Sequence, residues 1–215
     1  MQALLDRLTP DHANLSLASA IDPARIPRHI AIIVDGNPSV AAARAVVETC
    51  AWLGVETLTL PFEAATLAEL PWMMRQEIRF HGIGHLDSLP AAARAELDLA
   101  IRRTANNTGL RLNLAVNYGG RGEIVDAIQL LIRENAAITE ESIAAHLYTA
   151  GQPDPDLLIR TSGETRVSNF LLWQIAYAEL YITPTPWSDF RQHDLLEAIL
   201  EYQGRDRRFG GLPEP

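Results

Sequence analysis

Two segments of this chain gather residue types that could hold a phosphate ester. The first is Asp35-Gly36-Asn37, which follows the apolar run His29–Val34. A carboxylate at the end of a buried strand can bind a hard cation such as Mg²⁺, and the glycine beside it lets the backbone approach an anionic ligand closely. Asp-Gly-Asn is equally a common turn composition, so the tripeptide alone leaves both readings open. The second segment runs from Asp156 to Phe170, where an apolar stretch ends in Arg160 and a small polar loop leads on to Arg166, Val167 and Ser168. Two guanidinium groups, a hydroxyl and the backbone N–H groups of a helix starting near Ser168 or Asn169 would form a diphosphate receptor. The alternative is that both arginines pair with surface carboxylates.

Two further segments carry weaker signals. Asn117-Tyr118-Gly119-Gly120-Arg121-Gly122-Glu123 reads as another strand-to-helix turn, but it is neither a P-loop nor G-x-G-x-x-G, and a structural turn is the plainer reading. Glu179 lies inside the apolar run Phe170–Ile182, where a carboxylate either faces solvent or holds something positive. None of the 6 histidines has metal-ligand spacing, and His81 and His85 belong to a strand end rather than one helix face. The single cysteine, Cys50, sits among Val46, Val47 and Leu53 and reads as a packed thiol.

The elements that must position these residues follow from the apolar pattern. His29–Val34, Val55–Leu60, Ile78–Ile83, Leu112–Tyr118, Leu157–Thr161 and Leu180–Thr183 are short apolar runs without strict alternation, which suits a parallel sheet covered on both faces. Helical patterns lie between them, over Ala41–Leu53, Ala64–Gln76, Ala91–Thr104, Gly122–Glu134, Thr139–Tyr148, Phe170–Ala178 and Asp189–Tyr202, with Gly54 and Gly109 as stops and Thr139 and Ser188 as N-caps. That order predicts one α/β domain with a mostly parallel central sheet flanked by helices, whose ligands gather at the carboxyl ends of the strands. Residues 1–27 read as a loosely attached N-terminal arm, 28–211 as the domain and 212–215 as a tail.

Composition narrows the function classes. With 47% hydrophobic and 21% charged residues over 215 positions, the chain has ordinary globular usage. A net charge of -9 argues against nucleic acid as a partner, although locally placed arginines can still bind a small anion. The most apolar stretch falls short of the ~18–20 residues of a membrane span, and the first residues lack a secretory pattern, so cytoplasm is the expected compartment.

Taken together, these segments resemble the cis-prenyltransferases. H-I-A-I-I-V-D-G-N is similar to the family's first motif, and L-N-L-A-V-N-Y-G-G-R to its middle motif. D-L-L-I-R-T-S-G-E-T-R-V-S-N-F-L-L-W-Q-I-A-Y-A-E-L-Y follows the family's signature nearly residue for residue, and W-S-D-F and R-D-R-R-F-G-G continue it. The resemblance implies a homodimer with a hydrophobic tunnel that joins isopentenyl diphosphate to an allylic diphosphate such as farnesyl diphosphate. The implied product is a longer cis-polyprenyl diphosphate, undecaprenyl diphosphate for the cell-wall lipid carrier, with peripheral membrane contact for its release. It also implies that Asp35 binds Mg²⁺ and, with Asn37, acts in catalysis, that Gly36 and Asn37 lie against the allylic diphosphate, and that Arg160, Arg166, Val167 and Ser168 grip isopentenyl diphosphate. Glu179 would join the metal site, and Arg208 and Gly210 would form an R-x-G element reaching across the dimer.

The chain also departs from that pattern. After Asn37 the family continues with glycine, arginine and tryptophan and a basic stretch, whereas Pro38-Ser39-Val40 follows here. An aromatic, asparagine-bearing loop is replaced after Leu60 by Pro61-Phe62-Glu63, and a third shortening lies between Gln76 and Ile78. Either the natural chain carries mobile loops at these points that the 215-residue form omits, or the protein is an impaired or non-catalytic homologue acting as a binding or scaffolding subunit.

Overall fold

The apolar runs become strands that all point the same way. The computed structural model describes residues 12–34, 38–62 and 69–208. In chain order they form α1 (His12–Ala20), β1 (His29–Ile33), α2 (Val40–Leu53), β2 (Thr57–Pro61), α3 (Leu70–Arg75), β3 (Arg79–Gly84) and α4 (Ala91–Thr104). There follow β4 (Arg111–Val116), α5 (Gly120–Arg133), α6 (Glu140–Ala144), β5 (Leu157–Arg160), β6 (Glu179–Ile182) and α7 (Gln192–Gln203). The strands lie in the order β3-β4-β2-β1-β5-β6, and every pairing is parallel. Parallel neighbours cannot be joined by tight hairpins, so each return crosses a face of the sheet and brings cover with it. The result is the single α/β domain that the sequence predicts.

The two faces are filled differently. On one, Ile30, Ile32, Leu58, Leu60, Leu112, Leu114, Leu157 and Ile159 pack against Val46, Val47 and Cys50 of α2, Leu97 of α4 and Leu195, Leu196 and Ile199 of α7. Cys50 is packed as expected, and burial pushes its thiol pKa up. The other face carries smaller residues, Ala31, Ile33, Ile83, Ala115 and Leu158, covered by Phe170 and Leu171. Ser39 caps α2 by accepting from the Ala42 N–H at 3.2 Å, and Gly54, at φ 81°, closes it in the left-handed conformation that glycine adopts without strain. Thr139 caps α6 through a reciprocal pair with Ser142, although that helix ends at Ala144 rather than reaching Tyr148.

Four expectations need correction. Residues 12–21 are not loosely attached: α1 lies along α7, with Ala18 and Ile21 in the main core. Asp22 and Gln203 lock the junction, each side donating once, at 2.9 and 2.8 Å. The segment Phe170–Ala178 is a series of turns rather than a helix, because Ser168, Asn169 and Leu171 take φ of 48°, 59° and 46° and interrupt a right-handed start. Ser188 falls in a 3₁₀ turn, and α7 is capped instead by Asp194, whose carboxylate accepts from the Arg191 N–H at 2.9 Å. The pattern over Ala64–Gln76 yields α3 at Leu70–Arg75, with residues 63–68 outside the described residues.

A buried polar group completes the amino end of β1. His29 is fully buried, its Nδ1 within 2.7 Å of the Pro153 carbonyl and its Nε2 within 2.8 Å of Thr59 Oγ1, which also accepts from Asn113 Nδ2 at 3.0 Å. Desolvation lowers the His29 pKa to about 4. The unfolded chain takes up this proton near pH 6.5 and the folded chain only near 4, so stability is whole above 6.5 and falls as pH drops between those values. Unfolding free energies from urea titrations should decline by on the order of 3 kcal/mol over that window beyond the carboxylate contribution, at about 1.36 kcal/mol per pKa unit. His29→Gln should flatten that part of the profile. For the α1 correction, Ala18→Asp should cost more than ~2 kcal/mol in the same measurement, whereas a loose arm would lose under ~0.5.

Candidate functional site at the carboxyl pole

The chain runs from β1 outward through β2 to β3 and β4, then returns to the other side of β1 to lay down β5 and β6. The crevice between β1 and β5 is therefore the point where the strand order reverses, and such points bind ligands at their carboxyl ends in α/β sheets. Ile33 and Arg160 are register partners there. Arg160 thus ends β5 beside the end of β1. Asp35, Gly36 and Asn37 themselves lie outside the described residues, as does Gly210.

Arg160 is only 4% exposed, and its Nε has no hydrogen-bond partner among the described residues. A buried guanidinium N–H without an acceptor is costly, and an oxyanion is a group able to accept from such a planar fork. The loop that follows is held tightly. Thr161 N–H donates to the Ile33 carbonyl at 3.3 Å, Ser162 N–H to the Thr185 carbonyl at 3.0 Å and Gly163 N–H to the Thr183 carbonyl at 2.8 Å. Ser162 and Gly163 reach these bonds through left-handed backbone at φ 60° and 71°.

The other predicted ligands are placed around this loop. Arg166 is exposed and pairs with Glu164 of its own loop, so the ion-pair alternative holds for it, whereas Arg160 has no such pair among the described residues. Val167 packs partly against the small-residue face, and Ser168 is exposed. With no helix beginning at Ser168, the expected helix N-terminus is missing from this receptor. Glu179 begins β6, opposite Leu157, at the other end of β5 from Arg160. It is half-buried and paired with Arg205 Nη1 at 3.1 Å, so it does hold something positive, although that is not at the carboxyl pole of its own chain. Arg208 follows at that same far end and pairs with Asp206 at 3.3 Å.

Several residues that shape the site escape a reading by composition. Asn169 joins the loop to α5: its backbone carbonyl accepts from Gly120 N–H at 2.7 Å and its side-chain oxygen from Arg121 N–H at 2.9 Å. The approach needs glycines, since a Cβ on Gly119 would meet Asn169 Nδ2 at 2.7 Å and one on Gly120 the Leu172 nitrogen at 2.8 Å. Asn117–Glu123 is therefore a structural turn, as read, and also the wall on which the loop rests. Beneath it Glu123, 1% exposed, accepts from Tyr148 N–H at 2.8 Å, from Gln174 Nε2 at 3.0 Å and from the Tyr118 hydroxyl. Burial and the Glu123 charge drive the Tyr118 pKa up. The signal for Glu123 was its place on the buried stripe of α5 with Ala127 and Leu131.

The molecule is an α/β protein with a parallel sheet, and a buried arginine whose Nε has no partner among the described residues stands at its switch point. The family model for undecaprenyl diphosphate synthase matches residues 53–210. An isoprenyl transferase of Heliobacterium mobile is 43% identical over 240 residues, covering 92% of each chain, and one of Listeria monocytogenes serotype 4b is 37% identical over 252, covering 97% and 100%. Among solved structures, a probable undecaprenyl diphosphate synthase from Campylobacter jejuni superposes with a TM-score of 0.77 at 29% identity, over 86% of this chain and 98% of that one. Lavandulyl diphosphate synthase from Lavandula x intermedia, in complex with dimethylallyl diphosphate, gives 0.76 at 30% identity, over 87% and 99%. The chain belongs to the isoprenyl transferase family, the cis-prenyltransferases that its motifs resemble.

Gly120→Ala should displace the Leu172 backbone and loosen the loop, costing about 1–3 kcal/mol as overpacking does. Thermal melts will read the loss, and an unchanged midpoint would show that the close approach is not needed.

Proposed function

We propose that the protein joins isopentenyl diphosphate to an allylic diphosphate such as farnesyl diphosphate. The carbon–oxygen bond of the allylic ester breaks, diphosphate leaves with the electron pair, a carbon–carbon bond forms to isopentenyl diphosphate, and that substrate loses a proton as the cis double bond appears. The observation that carries this reading is the buried Arg160, its Nε without a partner among the described residues, at the switch point of a chain whose family is that of the isoprenyl transferases. A fixed cationic donor there binds a diphosphate without reorganising when charge develops. In this reading Arg160, Arg166, Val167 and Ser168 hold isopentenyl diphosphate, with Arg166 exchanging Glu164 for phosphate oxygens. Asp35, Gly36 and Asn37 meet the allylic diphosphate, and an allylic diphosphate is the ligand of the lavandulyl diphosphate synthase structure.

Mg²⁺ belongs to the proposal through Asp35, whose carboxylate suits a hard cation that would stabilise the departing diphosphate. The described residues do not assemble a metal site, and Glu179 is occupied by Arg205 at the far end of the sheet. No step is therefore assigned to the ion. The far-end position of Arg208 makes a homodimer part of the proposal, in which Arg208 would approach the phosphates of a partner's site. Undecaprenyl diphosphate as product, a tunnel for the growing chain, a cytoplasmic setting and a place in cell-wall lipid supply complete it. No helix among the described residues is long and apolar enough to cross a membrane, so contact with the bilayer would be peripheral.

Radiolabelled isopentenyl diphosphate with farnesyl diphosphate and Mg²⁺ should give chain elongation that chelation of the metal abolishes. Arg160→Ala should raise the KM for isopentenyl diphosphate about 10–100-fold, the loss of a charged hydrogen-bond donor of ~1.5–3 kcal/mol. Asp35→Ala should instead lower kcat by at least about tenfold with little change in melting temperature, on the order of the 1.36 kcal/mol that a tenfold rate change represents. Ligand binding without elongation would favour a binding subunit, and equal mild effects of both variants would remove the assigned roles.

A further inference from the structure

The strands share an amino pole as well, and its charge pattern runs against the net charge of the chain. Arg79 opens β3 and Arg111 opens β4, and the two are register partners on adjacent strands. Like charges directly opposite one another oppose strand pairing. Neither guanidinium has a hydrogen-bond or ion-pair partner among the described residues. The carboxylate at this rim, Glu56, is engaged by Arg28 through Nε and Nη2 at 2.7 and 2.9 Å. Burial, then the charge of Arg79, lowers the pKa of Arg111, which Glu56 offsets only in part.

These side chains line a cavity of about 640 Å³, with Thr57, Thr108 and Gly109 also in its wall. That volume lies within the range of small-molecule sites, and three arginines against one glutamate leave two positive charges uncompensated. The lining contains no aromatic ring among the described residues, so a nucleobase would find nothing to stack on. Two free planar forks and two hydroxyls suit a compact polyanion instead. The site lies a strand length from Arg160, roughly 15–20 Å at ~3.3 Å per residue.

We infer that the amino-pole pocket is a second oxyanion site, which takes a compact diphosphate-class polyanion between Arg79 and Arg111. Bound there, the anion would turn a repulsive strand pair into a bridged one.

Inorganic diphosphate titrated into the full chain, with ¹⁵N amide shifts as the readout, tests this directly. Thr57, Gly109 and Arg111 should shift saturably both in the wild type and in Arg160→Ala, which separates this pocket from the carboxyl pole. Arg79→Gln combined with Arg111→Gln should weaken the response at least tenfold and, without diphosphate, melt no lower than the wild type because a repulsion is gone. Arg79→Gln alone, at an exposed position, should weaken it several-fold and guards against a folding defect in the pair. Amide shifts no larger than those from sodium chloride of equal ionic strength would overturn the inference. So would a double variant that binds within twofold of the wild type.

Discussion

Everything in this molecule depends on the strands all running the same way. A parallel sheet cannot be closed with hairpins, so each connection must climb over a face, and the helices that do so supply the apolar cover both faces need. The same constraint sorts the loops into two poles with separate chemistry. At the carboxyl pole, the reversal of strand order beside β1 leaves a gap that no crossover fills, and Arg160 is buried at its edge. At the amino pole lie the openings of β2, β3 and β4, with Glu56, Arg79 and Arg111 around one cavity.

The buried polar groups show how the small-residue face is kept distinct from the hydrophobic one. His29, Thr59 and Asn113 form one hydrogen-bonded cluster, and Glu123, Gln174 and Tyr118 another, with Asn113 Oδ1 and Gln174 Oε1 left without a partner among the described residues. Each would be expensive to bury alone, and each is held by partners from different elements, which fixes how those elements meet. Glu123 is the clearest case: an acidic residue in the first turn of α5 that accepts from the backbone of Tyr148 and from the side chains of Gln174 and Tyr118 ties three segments together below the Arg160 loop.

Much of the fold was legible because short apolar runs leave little choice. All six expected strands form, with ends shifted by one or two residues, and α4 spans the residues its pattern indicates. What failed did so where side-chain pattern does not determine the backbone. Phe170–Ala178 has helical composition, but Ser168, Asn169 and Leu171 adopt left-handed φ, and only Asn is a residue type that hints at it. Ser188 resembles a cap, whereas Asp194 performs the capping from inside α7. The amphipathic signal of α1 is weak, so its docking on α7 had to be seen. For the site, Arg160 was legible as the charged end of an apolar strand, and Asn169 was not, since its role is to satisfy backbone donors of α5, among them Arg121, 48 residues earlier.

The bonds from Ser162 and Gly163 to the segment after β6 give the Arg160 loop a property of its own. Its conformational entropy is surrendered when the protein folds, so a ligand bound beside this stretch would meet little backbone ordering cost there. Thr183 and Thr185, as the acceptors of those bonds, tie the shape of the Arg160 loop to the integrity of the edge strand, and the sheet's border thereby becomes part of what holds the arginine in place.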